Sequence, residues 1–239
     1  MRADARNTIR TRLLEHYRAL IEAIALTLPS ESEVVLHDLS LLPLSIIAVC
    51  GDVTGRSPGD SATNLLVDAV AARDFSNKYG YDTWLPDGRR LRSSTTFLTD
   101  LDEKPIAAIC INTDVSAWEV LGDLAAQMLG DDGSTKIRAH SPRAPAQASP
   151  EVFFRDINGL ANYLITQAII DIDIPVELMQ KRHKMKIVAE LQAKNMFMLK
   201  SSVDIVAQAL KTTRFTIYNY LNELPDAEAT DREVAVGDV

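Results

Sequence analysis

Residues 201–224 read SSVDIVAQALKTTRFTIYNYLNEL, and their apolar spacing predicts two short helices joined by a tight turn. We expect Ser202 to cap the first helix and Thr213 the second, because a hydroxyl before an apolar-periodic run accepts from free helical N–H groups. Ala207 lets the two backbones approach closely, and Ile217 packs against it across the turn. The predicted inner faces also hold Val203, Val206, Leu210, Tyr220 and Leu221. This spacing is typical of a helix-turn-helix.

The second predicted helix turns a mostly polar surface away from the first. In this motif the first turn of that helix enters the major groove, so we expect Thr213 and Arg214 to lie closest to the bases. Arginine pairs with guanine edges or phosphates, asparagine pairs with adenine, and an aromatic ring meets a thymine methyl. The candidate contacts to duplex DNA are Lys211, Thr213, Arg214, Phe215, Thr216, Tyr218 and Asn219. The alternative is a helical hairpin that only packs.

Charge is distributed unevenly along the chain. The whole sequence carries −8, but residues 181–221 carry +6, which leaves −14 on the remainder. This asymmetry is expected when one part of a chain meets phosphate and another does not. From charge alone, a solvated helix face explains the basic segment equally well. Its charged residues are Lys181, Arg182, Lys184, Lys186, Lys194, Lys200, Lys211 and Arg214, against Glu190 and Asp204.

Upstream of this segment the sequence predicts an α+β domain. The expected order is a helix, two antiparallel strands, a helix, a hairpin around Pro86-Asp87-Gly88, a further strand and a helix. Ser61 or Thr63 is expected to cap the second helix, and Asp114 or Ser116 the third. Such an order suits one antiparallel sheet of about five strands with helices packed on it. The corresponding residues are 7–28, 33–38, 45–50, 61–75, 83–100, 106–111 and 114–128.

We predict four regions. Residues 1–130 form the α+β domain, and residues 131–150, with three prolines and three serines, form a linker. Residues 151–224 form a helical connector and the helix-turn-helix domain; in the connector, 151–174 has helical spacing and Pro175 opens a second helix that ends near Lys194. The acidic residues 225–239 are expected to be a disordered tail.

The two cysteines, Cys50 and Cys110, lie in apolar runs without metal-ligand spacing, so we expect reduced, buried thiols and no metal or cofactor. No run approaches 18 uninterrupted apolar residues, and the N-terminus does not resemble a signal peptide. A cytoplasmic protein without membrane association is therefore expected.

An enzyme site would have to be assembled from His37, Asp38, Ser94 and Cys110. Because no nucleophile elbow, phosphate loop or dinucleotide glycine motif accompanies them, catalysis is not expected.

The chain resembles regulators with a YheO-like PAS domain and a C-terminal helix-turn-helix, along almost its entire length. The resemblance rests on EVVLHDLS (33–40), SIIAV (45–49), TGRSPGD (54–60), DGRRLRSSTTF (87–97), AAICINTD (107–114), KIVAELQAKNMFMLKSSVDIVAQAL (186–210) and TTRFTIYNYL (212–221). It implies an N-terminal PAS-like antiparallel sheet with flanking helices, an all-α C-terminal domain, and ligand-responsive control of transcription from a DNA operator. Repression is expected, and activation remains the alternative.

Two departures from the family pattern stand out. The family usually has glycine where Asn195 stands, and asparagine is the next best residue for a left-handed helix end. A small residue is usual where Phe215 stands, so the operator sequence does not carry over.

PAS-like sheets commonly enclose a small molecule, and polar residues that interrupt apolar strands are the best candidates to face it. Groups of both signs suit a zwitterionic or cationic metabolite such as an amino acid. Alternatively, these residues satisfy strand ends and turns, or the sensor acts through a protein partner. We expect a homodimer or higher oligomer, formed through the helices flanking the sensor and through residues 151–195. The candidate ligand-binding residues are His37, Asp38, Arg56, Ser93, Thr95, Asn112 and Asp114.

Overall fold

The N-terminal half of the chain folds around five strands, β1 (Ser32–Asp38), β2 (Ile46–Cys50), β3 (Lys78–Trp84), β4 (Arg90–Thr99) and β5 (Pro105–Asp114). They form one antiparallel sheet in the order β2-β1-β5-β4-β3. The helices of this half are α1 (Arg2–Ala25), α2 (Asn64–Ala71) and α3 (Ser116–Met128). The predicted α+β class and the predicted order of elements are confirmed.

The computed structural model describes residues 2–129, 151–154 and 156–224, with the side chains of residues 2–7 left out. Chain contacts divide it into two compact units, Met1–Arg155 and Asp156–Val239. The predicted linker 131–150 and the predicted tail 225–239 lie outside the described residues.

The two faces of the sheet differ in polarity. Side chains alternate along a strand, so Val34 and Leu36 face one side of β1 while Glu33, Val35 and His37 face the other. The first side packs against α1 in an apolar core that contains Ile21, Val34, Leu36, Ile106, Ala107 and Ile109. On the second side, strand pairing aligns Glu33 with Asn112 and Asn112 with Ser93, and all three are buried. One face is therefore an ordinary core and the other is polar.

Local signals explain the element ends. Thr63 caps α2, where its hydroxyl accepts from the Leu66 N–H, and α2 ends at Ala71 instead of the predicted residue 75. Gly88 takes a φ of 90° in the turn between β3 and β4, a conformation that glycine adopts without a Cβ penalty. Val115 occupies the cap position of α3 without a side-chain cap, so neither predicted cap, Asp114 nor Ser116, holds that position, although Asp114 accepts from the Ser116 N–H at 2.9 Å.

The C-terminal unit is helical, with α4 (Ile157–Ile170), α5 (Lys181–Ala193), α6 (Ser202–Ala209) and α7 (Arg214–Glu223). Two 3-10 turns, Val176–Leu178 and Met196–Met198, lie between them.

Two local predictions in this unit were wrong. Pro175 opens only the first 3-10 turn, because Met179 is extended and a reciprocal cap between Gln180 and His183 starts α5 at Lys181. Ser201, with a left-handed φ of 68°, occupies the cap position of α6, so the predicted cap Ser202 is already its first helical residue. Asn195 has the predicted left-handed backbone, with a φ of 57°.

The segment 151–154 differs from the prediction, which placed it in a helix of the C-terminal domain. It forms no helix and packs against the N-terminal unit. Phe153 joins a core cluster with Val53, Leu85 and Leu91. The Val152 N–H donates to Oδ1 of Asn64 at 2.6 Å. This segment therefore belongs to the sheet unit, immediately before α4.

Candidate nucleic-acid interface and sensor site

Helices α6 and α7 pack through the predicted inner faces. Val206, Ala207, Leu210 and Ile217 are buried, and Tyr220 is nearly so, whereas Val203 and Leu221 are half-buried. The turn between the helices closes with a 2.9 Å hydrogen bond from the Thr212 N–H to the Ala207 carbonyl, and Lys211 takes a left-handed φ of 48°. The two helices thus have the spacing that a helix-turn-helix requires.

The first turn of α7 is fixed by its cap. The Thr213 hydroxyl accepts from the Thr216 N–H at 3.2 Å, and the two hydroxyl oxygens lie 2.9 Å apart. Arg214, Phe215, Tyr218 and Asn219 then project into solvent, and Phe215 is 73% exposed. An apolar ring so exposed contributes little to the fold, which makes it available for contact with a partner.

The cations around this helix have acidic neighbours within the same unit. Nε of Arg214 lies 2.9 Å from Oδ1 of Asp204, and Nζ of Lys211 bonds to the Glu177 carboxylate. These side chains are all about half-exposed or more, and exposed ion pairs contribute only about 0–1 kcal/mol. DNA phosphates can therefore replace the acidic partners at small cost.

On the polar face of the sheet, Glu33 is the centre of a buried network. Its Oε2 accepts from the N–H groups of Val53 and Thr54 at 3.1 and 2.9 Å. Its Oε1 accepts from Thr54 Oγ1 at 2.7 Å, from Asn112 Nδ2 at 3.0 Å and from Arg56 Nη2 at 3.4 Å. Burial raises the pKa of the Glu33 carboxyl, but the hydrogen bonds and the charge of Arg56 outweigh this and hold the pKa below its usual value.

Hydroxyl groups extend this network across β3, β4 and β5. Ser93 donates to Oδ1 of Asn112 at 2.8 Å and lies 2.8 Å from the Thr83 hydroxyl. Thr95 lies 2.8 Å from the Tyr81 hydroxyl and 3.4 Å from Sγ of Cys110. We refer to Glu33, Thr54, Arg56, Thr83, Ser93, Thr95 and Asn112 as the buried polar cluster.

A second carboxylate, Glu151, is 2% exposed in the N-terminal unit. Burial raises the pKa of Glu151, against the opposing effect of hydrogen bonds with Thr63 and Tyr81. Burial likewise raises the pKa of Tyr81. The polar face therefore combines an ionised carboxylate, Glu33, with one held toward its neutral form.

The structure brings together four of the seven predicted ligand residues, Arg56, Ser93, Thr95 and Asn112. His37 lies on the same face but bonds to the Ser45 hydroxyl at 2.9 Å, and its burial lowers its pKa to about 3. Asp38 lies on the α1 side, where it bonds to Arg10 and caps Ser40, and Asp114 pairs with Arg89 at 3.0 Å. The placement of these two aspartates differs from the expectation that all seven would face one site.

Sequence reasoning missed several members of the site. Glu33 carried a usable signal, because a charged residue opens an otherwise apolar strand. Glu151 and Phe153 carried none, because only the folding of the chain returns them to the sheet. The missed residues are Glu33, Thr54, Tyr81, Thr83, Glu151 and Phe153.

The residues proposed for an enzyme alternative are not assembled. Asp38 and Ser94 alternate to the α1 side of the sheet, opposite His37 and Cys110. Burial raises the pKa of the Cys110 thiol to about 12, so at neutral pH it is not a nucleophilic thiolate. Within the described ranges there is no group of three or more His, Cys, Asp or Glu side chains that could hold a metal ion. No helix among these residues has the length and apolar character needed to cross a membrane.

Comparison with known proteins agrees with both halves of the structure. A model of the YheO-like PAS domain matches residues 8–130, and a model of an HTH domain matches residues 160–222. The transcriptional regulator DauR of Pseudomonas aeruginosa is 29% identical over 221 residues, which cover 89% of this chain and 95% of that protein. The uncharacterized protein YheO of Escherichia coli K12 is 23% identical over 90% of this chain and 86% of its own length.

An uncharacterized protein of Haemophilus influenzae is 22% identical over 89% of this chain and 91% of its own length. The relatives therefore span both the sheet unit and the helical unit. The helix-turn-helix match encloses α6 and α7, which had been identified from their apolar spacing alone. The chain belongs to the family of proteins with a YheO-like PAS domain, and it carries a C-terminal helix-turn-helix domain.

Proposed function

We propose that this protein is a transcriptional regulator that binds duplex DNA through α7. The observation that carries the proposal is the contrast along this helix, where Ile217 and Tyr220 are buried while Arg214, Phe215 and Asn219 are exposed. A helix with this arrangement offers a guanine or phosphate contact, a methyl contact and an adenine contact on one outward surface. The similarity to a protein named as a transcriptional regulator supports the same role. Such a protein acts in the cytoplasm, and not as an enzyme.

The regulator works as a homodimer or higher oligomer, so that two recognition helices reach successive major grooves of a palindromic operator. Helix α3 supports this assembly, because within the described part of the chain none of its residues is buried. Its exposed apolar side chains follow a helical stripe formed by Trp118, Leu121, Leu124 and Met128.

The sheet unit senses a small molecule, for which an amino acid is the class we favour. The support is the buried polar cluster, since a core with a guanidinium and an ionised carboxylate is not what stability alone requires. The effector relieves repression by favouring an arrangement that cannot bind the operator. A differential affinity of about 1–3 kcal/mol changes the affinity for the operator by at most about 5- to 150-fold.

The test is selection of enriched sites from random duplex DNA by the full-length protein, followed by affinity measurements on the enriched site. Arg214→Ala is expected to weaken specific binding by about 1–3 kcal/mol and to relax the preference at one base pair, if Arg214 reads a base. Arg12→Ala removes the same charge from an exposed position of α1 and serves as the matched control. A wild-type protein that enriches no site refutes the proposal and points to a sensor that acts on a protein partner.

A further inference from the structure

The guanidinium of Arg56 is held on three sides. Its Nε donates to Thr54 Oγ1 at 2.9 Å, and its Nη2 donates to Glu33 Oε1 at 3.4 Å. The face of the group lies over the Phe153 ring, 5.0 Å from Cζ to the ring centroid, in a cation–π contact. The side chain is 1% exposed, so its position is set by the protein and not by solvent.

One corner of this guanidinium has no partner. Among residues 2–129, 151–154 and 156–224, nothing accepts a hydrogen bond from the buried Nη1. A buried donor left unsatisfied destabilises the fold, because it has lost its bonds to water without gaining an acceptor, and the effect is larger when the donor is charged. Such a group in an otherwise well-bonded network is a position at which a ligand that offers an acceptor would be stabilised.

The chemistry of that acceptor follows from Glu33. The two oxygens of this carboxylate already receive five donors, which exceeds the about four lone-pair sites that a carboxylate presents. The carboxylate therefore offers no place for a cationic group of a ligand. The group of the cluster that can bind a ligand is the Nη1 donor of Arg56. Because a guanidinium N–H group forms its strongest hydrogen bonds with anionic oxygens, the expected acceptor is a carboxylate oxygen.

A cleft beside the end of β2 has Arg56 among its lining residues. It has a volume of about 570 Å³ and is lined by Val49, Gly51, Asp52, Gly55, Arg56, Ser57 and Pro58. This volume lies within the range of small-molecule sites. Gly51 and Gly55 have positive φ angles of 98° and 69°, so the loop that walls the cleft follows a path that other residues rarely adopt.

The segment 151–154 also contacts Arg56, through Phe153. Phe153 stacks on the guanidinium, Val152 is bonded to Asn64, and the Phe154 carbonyl accepts from the Ser61 hydroxyl at 3.5 Å. The C-terminal unit begins at Asp156, directly after this segment. Any ligand that repositions Arg56 must therefore also change the contacts of the chain segment that leads into the helical unit.

We propose that Nη1 of Arg56 binds a carboxylate of the effector, and that residues 151–154 transmit occupancy of this subsite to the DNA-binding unit. The inference rests on the proposed ligand-responsive regulation and narrows it. Arg56 and Glu33 already balance each other in charge, so an added carboxylate is best accommodated when the same molecule carries a cationic group. The effector class is thus a molecule with a carboxylate, and a zwitterion such as an amino acid adds no net charge to the buried site.

The experiment compares α-amino acids with their own α-carboxamides, which keep the side chain and the amino group but lose the anionic oxygen. Full-length protein is titrated with each pair while thermal unfolding and release of a labelled operator are followed. Amino acids that bind are expected to bind at least about tenfold more tightly than their carboxamides. Arg56→Lys is expected to reduce this ratio toward one, while Arg89→Lys, the same change at a more exposed ion-paired arginine, leaves it intact.

A second variant separates transmission from binding. Phe153→Leu removes the ring that packs on the guanidinium, so its amino-acid affinity is measured first, and operator release is then compared with the wild type at saturating amino acid, where the variant is expected to release less of the operator. Operator release by Phe153→Leu that equals that of the wild type refutes the transmission role of the segment.

The remaining outcomes distinguish failure of the carboxylate subsite from failure of the proposed ligand-responsive regulation. Equal affinity of the wild type for an amino acid and its carboxamide overturns the carboxylate subsite and leaves ligand-responsive regulation standing. If neither series stabilises the protein or releases the operator, both the subsite and the ligand-sensing part of the proposed function fail. The wild-type comparison decides these cases even when the Arg56→Lys protein does not fold.

Discussion

Protonation of His37 is expected to destabilise the N-terminal unit. The ring is 1% exposed and bonds to the Ser45 hydroxyl, and burial, followed by the charge of Arg56, lowers its pKa from 6.5 to about 3. Because the folded-state pKa is depressed, the unfolded chain binds the extra proton below about pH 6.5 and the folded chain does not. Stability is therefore highest above this pH and falls until the folded-state pKa is passed.

The magnitude follows from the shift. About pH 5 lies about 1.5 pH units below the pKa of the unfolded histidine, so the unfolded histidine is protonated while the folded one remains neutral. The free energy of unfolding is therefore about 2 kcal/mol lower than at about pH 8. Other groups also titrate in this interval, so the wild type is compared with His37→Asn. The asparagine amide retains a partner for Ser45 but does not titrate, and this variant should lose about 2 kcal/mol less than the wild type.

Urea unfolding followed by tryptophan fluorescence measures the effect in the relevant unit. The chain has two tryptophans, Trp84 and Trp118, and both lie in the N-terminal unit. Equal losses of unfolding free energy in the wild type and in His37→Asn between the two pH values would show that His37 is not held neutral by the fold.

Three further predictions concern single positions. Thr213→Ala removes the acceptor for the Thr216 N–H and should lower the stability of the C-terminal unit by about 1 kcal/mol. Faster hydrogen exchange in α7 measures this loss, and the control Thr212→Ala should leave the exchange unchanged. Cys110, with a pKa raised to about 12 by burial, should react with a thiol reagent only after unfolding, and labelling in the native protein before Cys50 contradicts this. Gly51→Ala places a Cβ against the Ser32 carbonyl at a φ of 98°, so it should destabilise the N-terminal unit by more than about 1 kcal/mol in urea unfolding. The control Gly122→Ala, on the open surface of α3, should be neutral or stabilising.

The parts of the fold that were predictable from sequence are those set by local chemistry. The turn at Gly88, the left-handed Asn195 and the cap at Thr213 each depend on residues within one turn of the chain. The helix-turn-helix was recognisable for the same reason, because Ala207 and Ile217 have a fixed spacing. The error of one residue at Ser201 and Ser202 arises because Ser201 takes the cap position with a left-handed backbone and no side-chain cap, which the hydroxyl-cap rule does not anticipate.

The sensor site was only partly predictable, because its members are joined by strand register and not by sequence distance. Asp38 and Asn112 both interrupt apolar strands, yet alternation turns Asp38 toward α1 and Asn112 toward Glu33. A one-residue change of register would reverse these assignments. Glu151 is farther still from any local signal, since it follows the predicted linker and returns to the sheet only in the folded chain.

The two faces of the sheet separate apolar packing from buried polar interactions. The α1 side, with Ile21, Val34, Leu36 and their neighbours, supplies a continuous apolar core whose burial does not depend on a ligand. The opposite side is thereby free to hold charged groups whose burial is costly unless every hydrogen bond is made. Within the described residues, Nη1 of Arg56 is the one buried side-chain atom of the Glu33–Arg56 pair without a hydrogen-bond partner, and the guanidinium lies over the Phe153 ring of the segment that precedes the helical unit. The carboxylate that we propose as ligand completes this bond on the face of the sheet opposite the apolar α1 core.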